Sequence, residues 1–276
     1  MLLGSACGGG SGNDDPSVVA GFYPLAEVAG RLAGDDVVVH NLTPPGVEPH
    51  DLELTTDQAD RIEDASLVVL LGGGFQPALE EAAARRDGPT VLVLDALGLE
   101  GDPHIWLDPV LMLDVVDELG AALADAFPDD RAAVEDRRRA YRGEVRTLAD
   151  SYADRLGTCR RDLLVTAHGA FGRLSERFDL RQESIAGLSP EQEPDPRRLG
   201  ELTDLVREEG VTTIFTEELV SPEVAETLAR EAGVTTDVLD PLEGLSADRI
   251  DAGETYVSVM ERNLERIAAA LDCGQP

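Results

Sequence analysis

The chain has 276 residues, 42% of them hydrophobic, with 55 acidic against 23 basic residues for a formal net charge of −32. That content supports a folded core of one or two domains and excludes global disorder. The charge speaks against nucleic acid or an anionic membrane surface as partners and favours cations, although a GC-rich or salt-adapted genome produces the same bias, so charge alone does not indicate a metal.

No apolar run is long enough to cross a bilayer. The opening residues, Met1-Leu2-Leu3-Gly4-Ser5-Ala6-Cys7, resemble the end of a bacterial lipoprotein signal, in which a small residue precedes a cysteine that is lipidated. Gly4 stands where leucine is usual, and the basic and most of the apolar parts of such a signal are missing, which points to a truncated start. Gly8–Pro16 has the composition of a flexible tether. The expectation is export with a lipid anchor on Cys7. In an oxidising compartment the two remaining cysteines, Cys159 and Cys273, are expected to pair; two buried thiols are the alternative for a cytosolic chain.

From Ser17 short apolar strands alternate with amphipathic helices. Strands are expected at Ser17–Phe22, Asp36–Leu42, Leu67–Leu71 and Thr90–Leu94, and helices at Pro24–Ala33, Thr55–Asp64 and Gln76–Arg86, with a Pro-rich loop at Thr43–Glu53. Alternation at this spacing indicates βαβ units and a parallel sheet. Gly72-Gly73-Gly74 lacks the spacing of a dinucleotide fingerprint. Asp108-Pro109 reads as the N-cap and first residue of a helix to about Ala126. A second helix, Arg131 to about Leu156, would be roughly 40 Å long and join two halves as a spine.

The second half repeats the pattern. Strands are expected at Asp162–Thr166, Leu180–Ala186, Val211–Phe215 and Val234–Leu239. Helices are expected from Gly169 to about Phe178, from Asp195-Pro196 to Gly210, from Ser221-Pro222 to Gly233, and over Thr255–Leu271. The organisation read from this is a signal remnant and tether (1–16), an N-terminal βα lobe (17–128), a linking helix (129–156) and a C-terminal βα lobe (157–276). The fold class is α/β, with a parallel four-stranded sheet in each lobe.

Three of the four histidines share one address. His50 follows the second strand, His104 the fourth, and His168 the first strand of the second half; Asp240 ends the last strand. Ligands of open parallel sheets bind at the carboxyl ends of strands, so these four could converge between the lobes. Three imidazoles and a carboxylate suit zinc and are acceptable to manganese. Each ring must be neutral to bind, and a helix N-terminus at His168 would disfavour its protonation. Glu48, Asp51, Asp102 and Glu217 are candidate acceptors for the outer ring N–H groups. His40, inside a strand, reads as an ordinary histidine. Taken singly, each of the other three could also be one; His104 could merely belong to a turn packed around Trp106.

The motifs Pro-Gly-Val-Glu-Pro-His50-Asp-Leu-Glu, Asp-Pro-His104-Ile-Trp-Leu-Asp-Pro, Val-Thr-Ala-His168-Gly-Ala-Phe, Gly-Leu-Ser-Pro-Glu-Gln-Glu193-Pro, Ile-Phe-Thr-Glu217 and Leu-Asp240-Pro-Leu together resemble the cluster A-I solute-binding proteins of zinc/manganese ABC importers. They fall in that family's order across nearly the whole chain after Pro16. The resemblance implies two βα lobes on a rigid backbone helix, and one metal in the inter-lobe cleft held by His50, His104, His168 and Asp240. It also implies a non-enzymatic, monomeric protein anchored on the outer face of the cytoplasmic membrane, delivering Zn2+ to a permease; the long spine helix, which resists hinge bending, predicts only modest lobe closure. The long His- and acid-rich loop of many zinc-specific members is missing before His104, so metal choice would rest on the ligands. A third histidine favours Zn2+, with Mn2+ left open. The alternatives are a zinc hydrolase, for which Glu217 would be the base to test, and a surface adhesin of the same fold.

Overall fold

The strands at the centre of the first sheet, Ser17–Ala20 and Leu67–Leu70, are buried almost without a break, as a sheet covered on both faces requires. In the computed structural model, which describes residues 16–192 and 195–274, β1 (Ser17–Ala20), β2 (Val38–Asn41), β3 (Leu67–Leu70) and β4 (Thr90–Leu92) form a wholly parallel sheet in the order β2-β1-β3-β4. Between them run α1 (Tyr23–Ala33), α2 (Thr56–Asp64) and α3 (Pro77–Ala83). Val18, Ala20, Leu67 and Val69 face one core, while Val19, Val68 and Leu70 face another with Ile62 and Leu79 of α2 and α3.

The second sheet has the same order one lobe later. β5 (Leu163–Thr166), β6 (Arg181–Ser184), β7 (Thr213–Thr216) and β8 (Thr235–Val238) run parallel as β6-β5-β7-β8. The remaining helices are α4 (Val93–Leu97), α5 (Pro109–Ala126), α6 (Arg131–Leu156), α7 (Gly172–Arg177), α8 (Pro196–Glu208), α9 (Glu223–Ala232), α10 (Ala247–Asp251) and α11 (Tyr256–Ala270). Leu163, Val165 and Ile214 pack with Leu202, Val206 and Leu228 from α8 and α9.

The largest core belongs to neither sheet alone. It takes one face of each, α1, α5 and α11, and the buried stripe of α6: Val134, Tyr141, Val145, Leu148, Tyr152 and Leu156. α6 is about 40 Å long at 1.5 Å per residue and is fastened along its length. Arg137 donates to the carbonyls of Leu32 and Ala33 at the end of α1, and Arg142 reaches Asp117 of α5 at 2.8 Å. Tyr152 donates to the Met260 carbonyl of α11 at 2.8 Å. A continuous core around one helix couples the lobes mechanically, since sliding one past the other would open close-packed contacts.

Two local expectations are corrected. Thr90–Leu94 is a strand only to Leu92; Val93 begins α4, which places Asp95 on a helix ended by Gly98 in the left-handed region at φ 64°. The stretch after His168 opens with a 3-10 turn, Gly169–Phe171, before α7. Cys159 and Cys273 are disulfide-bonded across 114 residues. The lipidation expectation at Cys7 lies outside the described residues.

Candidate metal centre

The carboxyl ends of the strands deliver the polar residues to one place. His50 comes on the loop after β2, His104 on the loop between α4 and α5, and His168 two residues past β5. Asp108 caps α5, accepting from Val110 N at 2.8 Å and Leu111 N at 3.3 Å, and its other oxygen takes a bond from Arg177 of α7 at 2.8 Å. Arg173, also on α7, donates to the Asp102 carbonyl at 2.7 Å and the Glu100 carbonyl at 2.6 Å. The His104 loop is thus held by the helix that follows His168. Gly172 leaves room for the Asp102 carboxylate: a Cβ would stand 2.7 Å from Asp102 Oδ2, which would have to shift.

His50, His104, His168 and Glu243 offer donor atoms that all lie within 4.8 Å of one another. The Nε2 atoms of His50, His104 and His168 stand 3.1, 3.3 and 3.2 Å from the same oxygen, Glu243 Oε1. Zinc bonds of about 2.0–2.1 Å in a tetrahedron require donor–donor edges of about 3.3–3.4 Å. The three edges to Glu243 already meet that within a few tenths of an ångström. Among the described residues, the buried polar atoms without a hydrogen-bond partner include His104 Nε2, Glu243 Oε2 and Glu48 Oε2, so this cluster concentrates lone pairs that a cation would satisfy.

The outer ring nitrogens are fixed from behind. His104 Nδ1 lies 2.7 Å from Asp102 Oδ1, and His168 Nδ1 lies 2.7 and 2.8 Å from the two oxygens of Glu217. A carboxylate on Nδ1 sets that nitrogen as donor and turns the Nε2 lone pair to the centre. Glu217 also accepts from His168 N at 3.1 Å. Phe75 lies edge-on to His50 at 4.6 Å, and Trp106 lies 5.1 Å from His104. These rings give the first lobe's side of the site an apolar backing.

Asp240 does not join the cluster, and Glu243 stands in the position expected of it. The physical reason is saturation. Asp240 Oδ1 accepts from Leu242 N at 2.7 Å and Oδ2 accepts from Arg249 at 2.6 Å, so both oxygens are turned away from the imidazoles. The chain then runs three residues further, through Leu242 at φ 55°, before Glu243 points inward. Asp51 is exposed to solvent rather than set behind a ring. Glu48 accepts from the backbone N–H of His50 at 3.2 Å instead of from its ring. His40 lies on β2 beside Arg61, outside the cluster.

The family described as zinc-uptake complex component A, periplasmic (ZnuA) matches residues 18–270. The chain belongs to this family. The zinc-binding lipoprotein AdcA of Streptococcus pneumoniae is 33% identical over 93% of the chain, which spans 56% of that relative's length. The high-affinity zinc uptake system protein ZnuA of Bacillus subtilis is 33% identical over 98% of the chain and 94% of the relative. Among solved structures, the Zn(II)-bound ZnuA-like domain of pneumococcal AdcA superposes with a TM-score of 0.80 at 35% identity, covering 94% of this chain and 99% of that one. The laminin-binding protein of Streptococcus agalactiae, described as having adhesin and metal transporting activity, gives 0.85 at 30% identity, covering 93% and 99%.

Within this member of the ZnuA family the electrostatics of the cluster are strongly coupled. Burial by itself would lower His168, but its bonds to Glu217 and Glu243 override burial and raise it to about 10. His104 is raised in the same way by Asp102 and Glu243. The helix N-terminus expected to keep His168 neutral is outweighed by two carboxylates in direct contact. Burial works to raise Glu243, but the three imidazoles hold it well below the usual carboxylate range. Glu48 is pushed up to about 8, by burial first and by the Glu243 charge next.

Proposed function

We propose that the protein is the extracytoplasmic substrate-binding component of an ABC importer, capturing Zn2+ between its lobes and passing it to a membrane permease. The carrying observation is the convergence of three Nε2 atoms on Glu243 Oε1, with His104 and His168 oriented from behind by carboxylates. We assign His50, His104, His168 and Glu243 as the donors, and Asp102 and Glu217 as the groups that orient two of them. Three imidazole nitrogens and one carboxylate oxygen form a borderline-soft set that suits Zn2+ better than Mn2+. The relatives named for zinc binding and zinc uptake support the same cargo. A hydrolytic site would keep a position open for water beside three protein ligands; here Glu243 fills it, and Glu217 is engaged with His168.

Capture follows from the fold. The net charge of −32 raises the local concentration of divalent cations. Of the three rings, His50 is the one with solvent access, its side chain 11% exposed where those of His104 and His168 are fully buried. The ion therefore enters past the His50 side and settles on the two buried rings. The common core around α6 limits lobe closure, so release is by movement of a loop that carries a donor. Native mass spectrometry of the folded protein should show one Zn2+ per chain, retained against excess Mn2+. Trp106 emission should change in step with the titration. More than one tight zinc, or displacement by equimolar Mn2+, would overturn the reading.

Proton release should accompany capture. A ring raised to about 10 carries a proton at neutral pH, and it must lose that proton to bind. Affinity should therefore rise with pH, by roughly one decade per pH unit for each proton displaced. The metal-free protein has the opposite dependence. His168 contributes stability that is complete below its ordinary value of 6.5 and is lost as the pH rises through about 10. The melting-temperature gap between zinc-loaded and metal-free protein should widen from pH 6 to pH 9. Calorimetry in buffers of differing ionisation enthalpy measures the proton count directly, and a zero count would contradict this account.

We also propose a monomer held by a lipid on Cys7 to the outer face of the cytoplasmic membrane, a reading supported by the residues around Cys7 and by the pneumococcal lipoprotein relative. Metabolic labelling of a signal-bearing form with a palmitate analogue tests the anchor, and an unlabelled, wholly secreted product would refute it.

A further inference from the structure

The loop that presents Glu243 is held at its base by Asp240, which is buried and has every polar atom engaged. Its N–H donates to Asn263 Oδ1 at 3.1 Å and its carbonyl accepts from Asn263 Nδ2 at 2.7 Å. Its Oδ1 takes the Leu242 N–H at 2.7 Å, closing an Asx-type turn. Leu242, wholly buried, sits inside that turn at φ 55°, a conformation that a leucine keeps only where its surroundings hold it. The next residue is Glu243.

The second oxygen of Asp240 goes to Arg249 of α10, and Arg249 is itself tied in two further directions. It donates to Glu254, just ahead of α11, at 2.7 and 2.9 Å, and to Glu218, in the loop after β7, at 2.6 Å. On the other flank Trp106 donates to the Pro241 carbonyl at 2.7 Å, and Gly46 N donates to the Leu245 carbonyl at 3.0 Å. Gly244 passes so near the His50 loop that a Cβ would lie 3.3 Å from the Val47 carbonyl. The flank toward the first lobe is pinned through Trp106, Gly46 and Gly244. On the flank toward the second lobe Asn263 holds the Asp240 backbone, and the Asp240 side chain is held by Arg249.

We propose that Asp240 and Arg249 are positioning residues for the metal site: their ion pair fixes the turn that aims the Glu243 carboxylate at the three imidazoles. The proposal rests on the assignment of Glu243 as fourth donor. It gives Asp240 a role in zinc binding without contact with the ion, and it makes Arg249, which touches none of the donors, a determinant of affinity. An oxygen left free to swing costs the site its preorganisation while three donors stay in place.

The test compares Arg249→Ala, Asp240→Asn, Glu243→Ala and the Arg249→Ala/Glu243→Ala pair with the parent, by zinc titration against a chelator and by the visible spectrum of the Co2+-loaded protein. Asp240→Asn keeps an acceptor for Leu242 N–H but breaks the charge pairing with Arg249, so it carries the test if Arg249→Ala does not fold. Each single change at 240 or 249 should weaken zinc binding roughly 10–100-fold and lower the intensity of the tetrahedral Co2+ bands. Arg249→Ala should add nothing once Glu243 is alanine. An equal loss in both backgrounds, or a lower melting temperature with affinity and Co2+ spectrum unchanged, would overturn the positioning role. If Glu243→Ala itself leaves zinc binding intact, the assignment of the fourth donor falls and the positioning role falls with it. If Glu243→Ala weakens binding and Arg249→Ala does not, the positioning role alone is refuted.

Discussion

His168→Ala should weaken zinc binding by about 10²–10³-fold and destabilise the metal-free protein by about 3 kcal/mol. The first figure follows from structural zinc sites, where about 10–16 kcal/mol is shared among four donors, leaving roughly 2.5–4 kcal/mol for each. The second follows from what the ring leaves behind. Glu217 is 6% exposed, and without the imidazole its carboxylate keeps only the His168 backbone N–H at 3.1 Å. Removing one partner from a buried ion pair commonly costs about 3–5 kcal/mol, because the other charge stays out of water. His104→Ala should match it in zinc affinity but not in stability. Its partner Asp102 has a side chain 21% exposed, so water can replace the ring. His40→Ala should change neither quantity, since its neighbour is Arg61 on the surface of the first lobe. Chelator-competition titrations and denaturant unfolding of the metal-free forms measure both effects. Undiminished affinity in His168→Ala would remove this residue from the site.

The histidines were legible because strand-end loops of a parallel sheet have a fixed address, and three histidines occupied it. Asp102 and Glu217 were within reach for the same reason: one lies two residues before a histidine, the other directly after the β7 strand end. The fourth member of the cluster was not legible. Asp240 and Glu243 are both acids just past β8, and choosing between them requires knowing that Asp240 Oδ1 turns back to Leu242 N and that Leu242 adopts a positive φ. Nothing in a leucine announces that conformation. The available signal was the Glu243-Gly244 pair, an acid followed by the residue type that allows close approach to the facing loop. Asp51 misled in the opposite way, since adjacency to His50 in sequence does not bring its side chain behind the ring.

The sheets show the same division between pattern and context. Alternation of apolar strands with helices gave two parallel four-stranded sheets, because few other arrangements bury both faces. Thr90–Leu94 was misread at its end, since five apolar or β-branched residues satisfy a buried helix as well as a strand. The site also depends on contacts that no local pattern contains. Arg173 and Arg177 grip the His104 loop from 71 and 69 positions along the chain, and Trp106 binds the Pro241 carbonyl across 135. Such pairs become visible only when the lobes are in place.

The Cys159–Cys273 bridge should supply about 3–5 kcal/mol of stability and almost none of the zinc affinity. It closes a span of 114 residues containing β5 to β8, His168 and Glu243. On the chain-entropy account a loop of that size restricts the unfolded chain by close to 5 kcal/mol, an upper figure because denatured chains are not fully random. The folded state has little to lose locally. Arg160 N and Arg161 N both donate to the Leu271 carbonyl, at 3.2 and 3.1 Å, and α11 stays packed through Tyr256, Val259, Met260 and Ile267. Cys159 lies ahead of the amino end of β5, whereas the His/Glu cluster follows the carboxyl ends of strands, so the bridge and the cluster sit at opposite ends of the sheet. A Cys159→Ala/Cys273→Ala variant, preferable to a thiol reductant that would itself bind zinc, should melt about 10 °C lower. Its zinc affinity, measured well below the transition, should match the parent, and saturating zinc should raise both melting temperatures, because ligand linkage acts on the folded state alone. Full stability without the bridge would show that α11 is held by packing alone. A parallel loss of zinc affinity would show that the strain of losing the bridge travels the length of β5 to His168.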